Sequence, residues 1–339
     1  MLQEVNNINI TILVDNITDR LLPSLSLVKR PILISNKRFN KPPIAEHGFS
    51  TLVEISYQYK DKKILKKFLF DTGVSKNGII YNSNIFGINF EDIETIILSH
   101  GHFDHISGLV NVLKKINRPI EIITHPDAFL RRWIVFPDGR KARMDILDEE
   151  EVKDFGGIII KNNSINYLPR LKTKINYNND ADNNMLNKNK NKNNRVLITG
   201  EIPRVTKFEK GFPLQYKEGK DENDLIADPF VKDDQALVML LKNKGLVILT
   251  GCGHAGIINT VNYATKVTGI KKVYAIIGGF HLTGEGYEES IPLTISELLK
   301  INPEYIIPCH CTGWKASNEI IKSMPQKYIQ TSVGSTFCF

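Results

Sequence analysis

Three histidines and an aspartate lie within a run of six residues, which reads HGHFDH from position 100 to position 105. Alternate side chains of an extended chain point to the same face, so His100 and His102 can bind one metal ion while Asp104 and His105 reach a second. The chain has only 8 His in 339 residues, which makes chance clustering a weak explanation. The run therefore predicts ligands for two neighbouring cations, and it says little about the substrate.

Histidines also follow three further apolar runs that are predicted to be strands. The residues after 246–250 read GCGHAG and contain His254, those after 273–277 read GGFH and end at His281, and those after 306–307 read PCHCTG and contain His310. Small residues at a strand end let the backbone approach a ligand closely, and active sites favour that edge of a sheet. We therefore expect these imidazoles to gather at one edge, close to the first run.

The composition is that of a globular protein. A chain of 339 residues with 42% hydrophobic content can bury a substantial core, as one large α/β domain or as two small ones. No run of about eighteen apolar residues appears, and the first seven residues lack the order of a secretion signal, so we expect a soluble cytoplasmic protein with no membrane partner. All four cysteines lie in the last third, which predicts reduced thiols: Cys252, Cys309, Cys311 and Cys338.

Most of the positive charge lies in one polar segment. The net charge is +7, and residues 172–195 carry six basic side chains against two acidic ones. Loop 176–194 within this segment is rich in Asn and Lys and nearly free of apolar residues, so we predict a disordered surface insertion. A nucleic-acid-binding arm is the alternative. Since the loop lacks a series of interleaved aromatic residues, a nucleic-acid partner is not expected.

Short β-branched runs alternate with amphipathic segments of helical length, which predicts mixed sheets with helices outside them. The predicted strands are 8–14, 52–59, 64–70, 94–98, 120–123, 196–199, 236–241, 246–250, 273–277 and 305–307. The predicted helices are 106–116, 256–268 and 291–301. Residues 126–235 hold fewer strand patterns and more Pro, Gly and charge. They form either a cap over the run at 100–105 or a plain connecting excursion.

The run at 100–105, together with the strand-ending FDTG at 70–73, resembles the metallo-β-lactamase superfamily, and the resemblance covers almost the whole chain. It implies an α/β fold, a four-layer αββα sandwich with two mixed β-sheets, built as a single domain from residues 1–339. It also implies two divalent metal ions in a groove between the sheets. Zinc is the usual metal, and magnesium, manganese and iron are the alternatives.

Carried over by motif, this resemblance assigns a role to each ligand-type residue. The first metal would be held by His100, His102 and His254, and the second by Asp104, His105 and His310. Asp104 would also be the catalytic carboxylate. Asp71 would support the metal ligands without binding a metal itself.

Cys252 marks a departure from the superfamily pattern. The superfamily commonly bridges its metals with an aspartate after Thr-Gly at a strand end, but here Cys252 follows Thr250-Gly251. A thiolate could bridge the metals, and this soft ligand would favour zinc over magnesium or manganese. Alternatively, Cys252 is a small packing residue.

Several strings resemble one family within the superfamily, the dihydropterin-methyl ribofuranosylaminobenzene-phosphate synthases of tetrahydromethanopterin synthesis in archaea. These strings are AEHGFS at 45–50, LSHGH at 98–102, ITGEIPR at 198–204, TGCGHAG at 250–256, GGFHL at 278–282 and HCTG at 310–313. The resemblance implies a transferase that joins a dihydropterin-methyl diphosphate to the aniline nitrogen of a ribosyl-aminobenzene phosphate. Pyrophosphate would be the leaving group.

The substrate would then be a small phosphorylated anion. The candidate substrate-binding residues are His47, Glu201, Arg204 and His281, of which His281 and Arg204 suit phosphate. Phe49 or Trp133 could stack on the pterin ring. The alternatives are structural, namely a capped strand end for His281, a surface ion pair for Arg204 and core packing for the two aromatic residues.

Other functions remain open on the sequence alone. The same ligands would serve a binuclear zinc hydrolase of a phosphoester, lactone or thioester, in which Asp104 orients the nucleophile. A metallo-nuclease would need basic residues near the groove, and a metal store or sensor would need closed coordination. A diiron oxygen-reducing enzyme fits less well, because such relatives usually carry Glu at the position of His102 and add a flavin domain. The oligomeric state is not predicted.

Overall fold

The computed structural model describes residues 1–169, 194–284 and 286–339. Its first large sheet has the strand order β12-β9-β8-β7-β6-β2-β21-β3. These strands are β2 (Asn7–Val14), β3 (Val28–Lys29), β6 (Ser50–Tyr59), β7 (Lys62–Phe70), β8 (Thr95–Ile97), β9 (Ile120–Thr124), β12 (Gly157–Lys161) and β21 (Thr336–Cys338). The sheet is mixed, because β7, β8, β9 and β12 run parallel while β2, β6 and β7 pair antiparallel.

The second large sheet has the order β13-β14-β17-β18-β19-β20, and β1 pairs with β17. Its strands are β1 (Glu4–Val5), β13 (Asn166–Leu168), β14 (Val196–Ile198), β17 (Ala236–Leu241), β18 (Gly245–Thr250), β19 (Val273–Gly278) and β20 (Tyr305–Pro308). Strands β18, β19 and β20 are parallel, and the hairpin of β17 and β18 is antiparallel. This sheet is therefore also mixed.

Helices cover the outer face of each sheet. They are α1 (Gly78–Ile85), α2 (Phe103–Ile106), α3 (Leu109–Ile116), α4 (Glu149–Asp154), α5 (Ile257–Thr268), α6 (Ile291–Ile301) and α7 (Trp314–Ser323). In the described ranges, no helix is both long enough and apolar enough to cross a membrane.

Alternation along the strands explains why the sheets stack. In β18, Val247 and Leu249 join a core cluster shared with the first sheet, whereas Leu246 and Ile248 pack with helices α5, α6 and α7. The opposite face of the first sheet packs against α1 and α3 in a third cluster. Because side chains alternate between the two faces of a strand, a strand that is buried on both sides reads as a continuous apolar run. The predicted four-layer αββα sandwich is confirmed.

Each predicted strand is present, with ends that differ from the prediction by at most two residues. The helix predicted at 106–116 is wrong in its first part, because α2 ends at Ile106 and α3 begins at Leu109. Gly108 lies between them, and a Cβ there would come within 2.1 Å of the Thr72 carbonyl oxygen. The two helices are thus separated at a point where the backbone passes close to Thr72. The apolar periodicity of the sequence did not indicate this break.

Residues 126–235 contribute to three sheets. Strands β12, β13 and β14 belong to the two large sheets, while β10 (Arg132–Val135), β11 (Lys141–Arg143), β15 (Gln215–Glu218) and β16 (Leu225–Ala227) form a separate small sheet. A further short hairpin pairs β4 (Ile34–Ser35) with β5 (Arg38–Phe39). The predicted disordered loop 176–194 lies outside the described residues except for its last position.

Candidate metal centre

The ligand-type residues follow the carboxyl ends of parallel strands from both sheets. The turn at 100–105 follows β8, Asp71 follows β7, His254 follows β18, and His310 follows β20. Parallel strands end at the same edge, so this topology gathers side chains that are far apart in sequence.

His100, His102 and His254 form one buried group. One ring nitrogen from each lies within 4.8 Å of the others, and His254 Nε2 lies 3.1 Å from His102 Nδ1. Three imidazoles that converge in this way match the histidine triad of zinc sites. The structure therefore brings together the three residues that were predicted to hold the first metal.

Asp104, His105, Cys252 and His310 form a second buried group. Asp104 Oδ2 lies 3.2 Å from His310 Nε2 and 3.7 Å from His105 Nε2. Cys252 Sγ lies 3.2 Å from His105 Nε2, and Cys252 also belongs to a third possible ligand group with His254 and His281. The thiol thus lies between the two predicted metal positions.

Asp71 and Ser99 fix the orientation of two imidazoles. Asp71 Oδ2 accepts hydrogen bonds from His105 Nδ1 at 2.7 Å and from Ser99 Oγ at 2.7 Å. Ser99 Oγ in turn lies 2.9 Å from His100 Nδ1 and can accept its proton. Since each Nδ1 is engaged as a donor, the Nε2 lone pairs of His100 and His105 face the interior of the site. Asp71 therefore contacts His105 directly and is linked to His100 through Ser99.

Gln215 performs the same task for His102. Its Oε1 lies 2.5 Å from His102 Nε2, so that Nδ1 is left free on the side of His254. The amide is itself held, because Nε2 of Gln215 donates to Oδ2 and to the main-chain oxygen of Asp228, each at 3.0 Å. Sequence reasoning did not find this residue, which belongs to the small sheet.

His310 is held by Asp15 and Asn16 at the end of β2. Its main-chain N–H donates to Asp15 Oδ1 at 2.8 Å, and Asn16 Nδ2 donates to its carbonyl at 3.0 Å. Asn16 Oδ1 lies 3.3 Å from His310 Nδ1. These contacts stabilise a left-handed backbone at His310, whose φ is 49°, and they direct Nε2 towards Asp104.

A buried ion pair contacts the backbone of the turn at 100–105. Arg132 Nη2 lies 2.5 Å from Asp233 Oδ1, and Asp233 Oδ2 accepts the Gly101 N–H at 2.7 Å. Gly101 is required here, because a Cβ would come within 2.1 Å of the Ala128 carbonyl oxygen. Arg132 and Asp233 were not identified from the sequence.

The electrostatics of the two groups suit a cation. Burial, reinforced by the Arg132 guanidinium, lowers the pKa of His102 to about 4, so this imidazole is neutral at neutral pH. Burial and the neighbouring imidazoles also lower the pKa of His100, and its Nε2 is a buried atom with no hydrogen-bond partner among the described residues. A buried, neutral and unpaired nitrogen is costly unless a ligand occupies it, so the donor set fits a bound metal.

Asp104 and His310 carry opposite charges at neutral pH. Burial favours the neutral form of Asp104, but the adjacent His105 and His310 outweigh it and lower the pKa of the carboxyl below its usual range. Burial likewise opposes protonation of His310, but the Cys311 thiol and Asp104 raise the pKa of His310 to about 9. Without a metal, the Asp104–His310 pair is therefore an ion pair that a cation would replace.

The predicted substrate-binding residues occupy different places. His47 lies at the mouth of the second group, with Nε2 4.0 Å from Asp104 Oδ2 and a side chain that is 67% exposed. The His281 ring lies 4.1 Å from that of His254. The Arg204 guanidinium is engaged by the His254 and Phe230 carbonyls, and Glu201 is exposed.

The two aromatic candidates for stacking are occupied by other contacts. Phe49 is fully buried, and its ring centroid lies 5.9 Å from that of His310. Trp133 is half-buried, and its Nε1 donates to Glu218 Oε1 at 2.8 Å. The geometry favours core packing for Phe49 and a role within the small sheet for Trp133.

One family model and two relatives align with this sequence. The family described as the metallo-beta-lactamase superfamily matches residues 50–166. The 7,8-dihydropterin-6-methyl-4-(beta-D-ribofuranosyl)-aminobenzene-5'-phosphate synthase of Methanocaldococcus jannaschii is 32% identical over 305 residues, which cover 89% of this chain and 92% of that protein. The uncharacterized protein MJ0448 of the same organism is 31% identical over 289 residues, which cover 85% of this chain and 92% of that protein.

A solved structure supports the shared fold. Tm1679, described as a metal-dependent hydrolase of the beta-lactamase superfamily, superposes with a TM-score of 0.67 at 21% identity and covers 97% of this chain and 98% of that one. At this identity the likeness concerns the fold alone. Taken with the 32% identity over most of both chains, the comparisons show that this chain belongs to the metallo-β-lactamase superfamily, in the family of the 7,8-dihydropterin-6-methyl-4-(beta-D-ribofuranosyl)-aminobenzene-5'-phosphate synthase.

Proposed function

We propose that the protein is a metal-dependent transferase that condenses dihydropterin-methyl diphosphate with 4-(β-D-ribofuranosyl)aminobenzene 5'-phosphate. The observation that carries this proposal is the 32% identity to the synthase over 89% of the chain, in a structure that gathers both ligand groups. The substrates are small phosphorylated anions, which suits a site built around cations.

We infer two divalent metal ions, with zinc the best match to a set of imidazoles and one thiol. One ion would be held by His100, His102 and His254, the other by Asp104, His105 and His310, with Cys252 between them. When bound, the ions supply positive charge that neutralises the diphosphate as it leaves.

The reaction forms one bond and breaks one. The aniline nitrogen attacks the methylene carbon and forms a C–N bond, while the C–O bond to the diphosphate breaks and the diphosphate leaves with the electron pair. The aniline nitrogen then loses one proton. We assign this proton to His47 Nε2, because partial desolvation at the mouth of the site and the adjacent His310 lower the pKa of His47 and favour its neutral imidazole.

The chain's other groups position the site. Asp104 stays ionised, so it is suited to hold a metal ion rather than to donate a proton. Arg204 donates to the His254 carbonyl at 2.8 Å, so we infer that it holds the His254 loop instead of binding phosphate. His281, beside His254, remains our candidate for substrate contact.

The test is an assay of the metal-loaded protein with both substrates. We expect pyrophosphate release that requires the aniline, and we expect the joint substitution His102→Ala and Asp104→Ala to lower bound metal and abolish turnover while the fold persists. The control is Asp138→Ala, which removes an exposed carboxylate paired with Arg140. Pyrophosphate or ester cleavage by water without the aniline would instead identify a hydrolase, and full activity of the double variant would refute the site.

A further inference from the structure

Two cysteines from different strand ends meet beside the metal centre. Cys252 follows β18 and Cys311 follows β20, and their side chains are in hydrogen-bonding contact with each other. The Cys311 thiol also donates to the Cys252 carbonyl at 3.2 Å, and both residues are buried. The proposed reaction uses Cys252 only as a candidate metal ligand and gives Cys311 no role. The two thiols therefore form a nucleophilic pair that the metal centre alone does not explain.

Gly279 makes this contact possible. Strand β19 lies between β18 and β20 in the second large sheet, so a side chain directly after β19 could separate the residues that follow its two neighbours. A Cβ on Gly279 would come within 2.7 Å of Cys311 Sγ and 3.1 Å of the Cys252 Cα. The glycine thus leaves open the space across which the two cysteines approach each other.

The other two cysteines lie elsewhere. Cys309 belongs to the core cluster shared by the two large sheets, and its thiol lies 3.6 Å from the Ile307 carbonyl oxygen. Cys338 lies on β21 of the first large sheet, and its thiol lies 3.7 Å from the Thr336 carbonyl oxygen. A reaction confined to the pair would leave both of these thiols unchanged, so they serve as internal references.

Cys252 can be reached through the metal centre. Its Sγ lies 3.2 Å from His105 Nε2, which lies 3.7 Å from Asp104 Oδ2. Asp104 Oδ2 in turn lies 4.0 Å from Nε2 of His47, whose side chain is 67% exposed. A molecule as small as a peroxide can therefore enter where metal ions enter, whereas burial of both cysteines keeps the thiol of a second protein away from them.

We propose that Cys252 and Cys311 are a redox-active pair, which hydrogen peroxide converts into an intramolecular disulfide. The Cys252 sulfur attacks the peroxide, so that an S–O bond forms, the O–O bond breaks and one water leaves, which oxidises Cys252 to a sulfenic acid. The Cys311 sulfur then attacks the Cys252 sulfur, so that the S–S bond forms and a second water leaves. In all, two thiols lose two electrons and two protons, and one peroxide is reduced to two waters.

The disulfide would remove a candidate ligand from the metal centre. A sulfur atom in a disulfide has no thiolate charge to offer a metal ion, so zinc binding should weaken when the bond forms. Conversely, a zinc ion that holds Cys252 engages the lone pair that attacks peroxide, so an excess of zinc should slow the oxidation. A reductant would restore both thiols and the original ligand set. The pair would thus couple metal content to oxidising conditions, whatever the substrate of the enzyme is.

The experiment treats the zinc-loaded protein with hydrogen peroxide and measures three quantities. Thiols are counted with a chromogenic reagent after denaturation, linked peptides are identified by mass spectrometry, and released zinc is measured with a chelating dye. We expect the count to fall from the four thiols of the chain to two, with zinc release and with one linked peptide pair that contains Cys252 and Cys311. Dithiothreitol should restore all four thiols, and an excess of zinc should slow their loss.

Matched serine variants test the assignment of the pair. Cys309→Ser should still form the linked peptide, whereas Cys311→Ser should form none and should accumulate sulfenic acid at Cys252, which a sulfenic-acid probe would label. Because the peptide map of the wild type is decisive by itself, a variant that fails to fold leaves the test intact.

Three results would overturn the proposal. The first is a linkage between other cysteines or between two chains. The second is loss of thiols with no peptide that links Cys252 to Cys311. The third is survival of all four thiols at a peroxide concentration that oxidises free cysteine completely in the same time. None of these readouts depends on turnover, so failure of the proposed function would leave the pair standing, and failure of the pair would leave the proposed function standing.

Discussion

Gln215 Oε1 lies 2.5 Å from Nε2 of His102, although 113 positions separate the two residues in the chain. This contact is the reason why His102 offers Nδ1, rather than Nε2, to the first ligand group. It also ties the small sheet to the metal centre, because Gln215 is the first residue of β15. The small sheet therefore helps to orient His102, a candidate metal ligand.

Replacing Gln215 with alanine should weaken metal binding by about tenfold to a hundredfold, since partners of metal-bound imidazoles typically contribute this much. The change can be measured by competition for zinc with a chromogenic chelator. The control is Gln58→Ala, which removes an exposed glutamine from β6 of the first large sheet and should leave the zinc affinity unchanged. Equal zinc affinities of Gln215→Ala and the wild type would show that the hydrogen bond does not support a ligand.

Asn16 should control the second metal without affecting the first. Asn16→Ala removes both side-chain contacts to His310, whose left-handed backbone then loses part of its support. We expect the metal content to fall from two ions towards one per chain, as measured by elemental analysis after dialysis. Asn84→Ala, at an exposed position of α1, is the control. Loss of both ions in equal proportion would contradict a local role for Asn16.

The residues that could be predicted from the sequence are those with a local signal. The turn at 100–105 is dense in ligands, and His254 and His310 each follow an apolar run and small residues, so their placement at one edge followed from the strand pattern. Gln215, Asp15 and Asn16 carry no such signal. Each is an ordinary polar residue whose role depends on a contact with a segment more than a hundred positions away.

The fold shows the same division. Long strands such as β6 and β18 were predicted because their apolar residues face a core on one or both sides. The small sheet was missed, because its strands are three or four residues long and largely half-buried or exposed. Strands of this kind lack the periodicity on which prediction depends.

The Arg132–Asp233 pair should give the stability a measurable pH dependence. Burial alone would raise the pKa of Asp233, but Arg132 outweighs it and lowers this pKa below the ordinary value of 3.8. A carboxyl with a lowered pKa stabilises the folded state above its unfolded pKa, and this contribution is lost as the pH falls through the folded pKa. The loss therefore begins near pH 3.8 and continues at lower pH.

Asp233→Asn leaves the Arg132 guanidinium buried without its charged partner, so the free energy of unfolding at pH 7 should fall by about 3–5 kcal/mol. Urea unfolding between pH 7 and pH 3, with a chelator present so that metal release does not contribute, measures the effect. The difference between variant and wild type should shrink below about pH 4. A difference that stays constant down to pH 3 would mean that Asp233 has the same pKa in the folded and unfolded protein, so that Arg132 does not lower it. Asp138→Asn, at an exposed position, should show no such difference.

Cys252 should influence which metal binds. Its Sγ lies 3.2 Å from His105 Nε2, and a thiolate prefers soft ions. Cys252→Asp should retain metal but shift the preference from zinc towards manganese, as measured by the ratio of the two ions bound from an equimolar mixture. Cys309→Ala is the matched control, because Cys309 is equally buried and its thiol contacts only the Ile307 carbonyl among the hydrogen-bond partners described. An unchanged ratio in Cys252→Asp would assign Cys252 to packing.

Glu209 should link the stability of α5 to the position of His254. The N-cap of α5 is Gly256, which has no side chain to satisfy the first N–H groups, and the Glu209 carboxylate accepts two of them from a distant segment. Substitution of a capping residue by alanine typically costs about 0.5–2 kcal/mol of stability, so Glu209→Ala should lower the free energy of unfolding by about this amount. Because α5 begins three residues after His254, the zinc affinity of the protein should also fall.

Asp148→Ala provides the matched control for Glu209→Ala. Asp148 caps α4 by accepting the Glu150 and Glu151 N–H groups at 2.9 and 3.2 Å, but α4 carries none of the ligand residues. Chemical denaturation should show a loss of stability in both variants, whereas chelator competition should show weaker zinc binding only in Glu209→Ala. If the two variants bind zinc equally well, the cap stabilises the helix without positioning His254, and the ligand loop must be held by its other contacts, chiefly the Arg204 guanidinium on the His254 carbonyl.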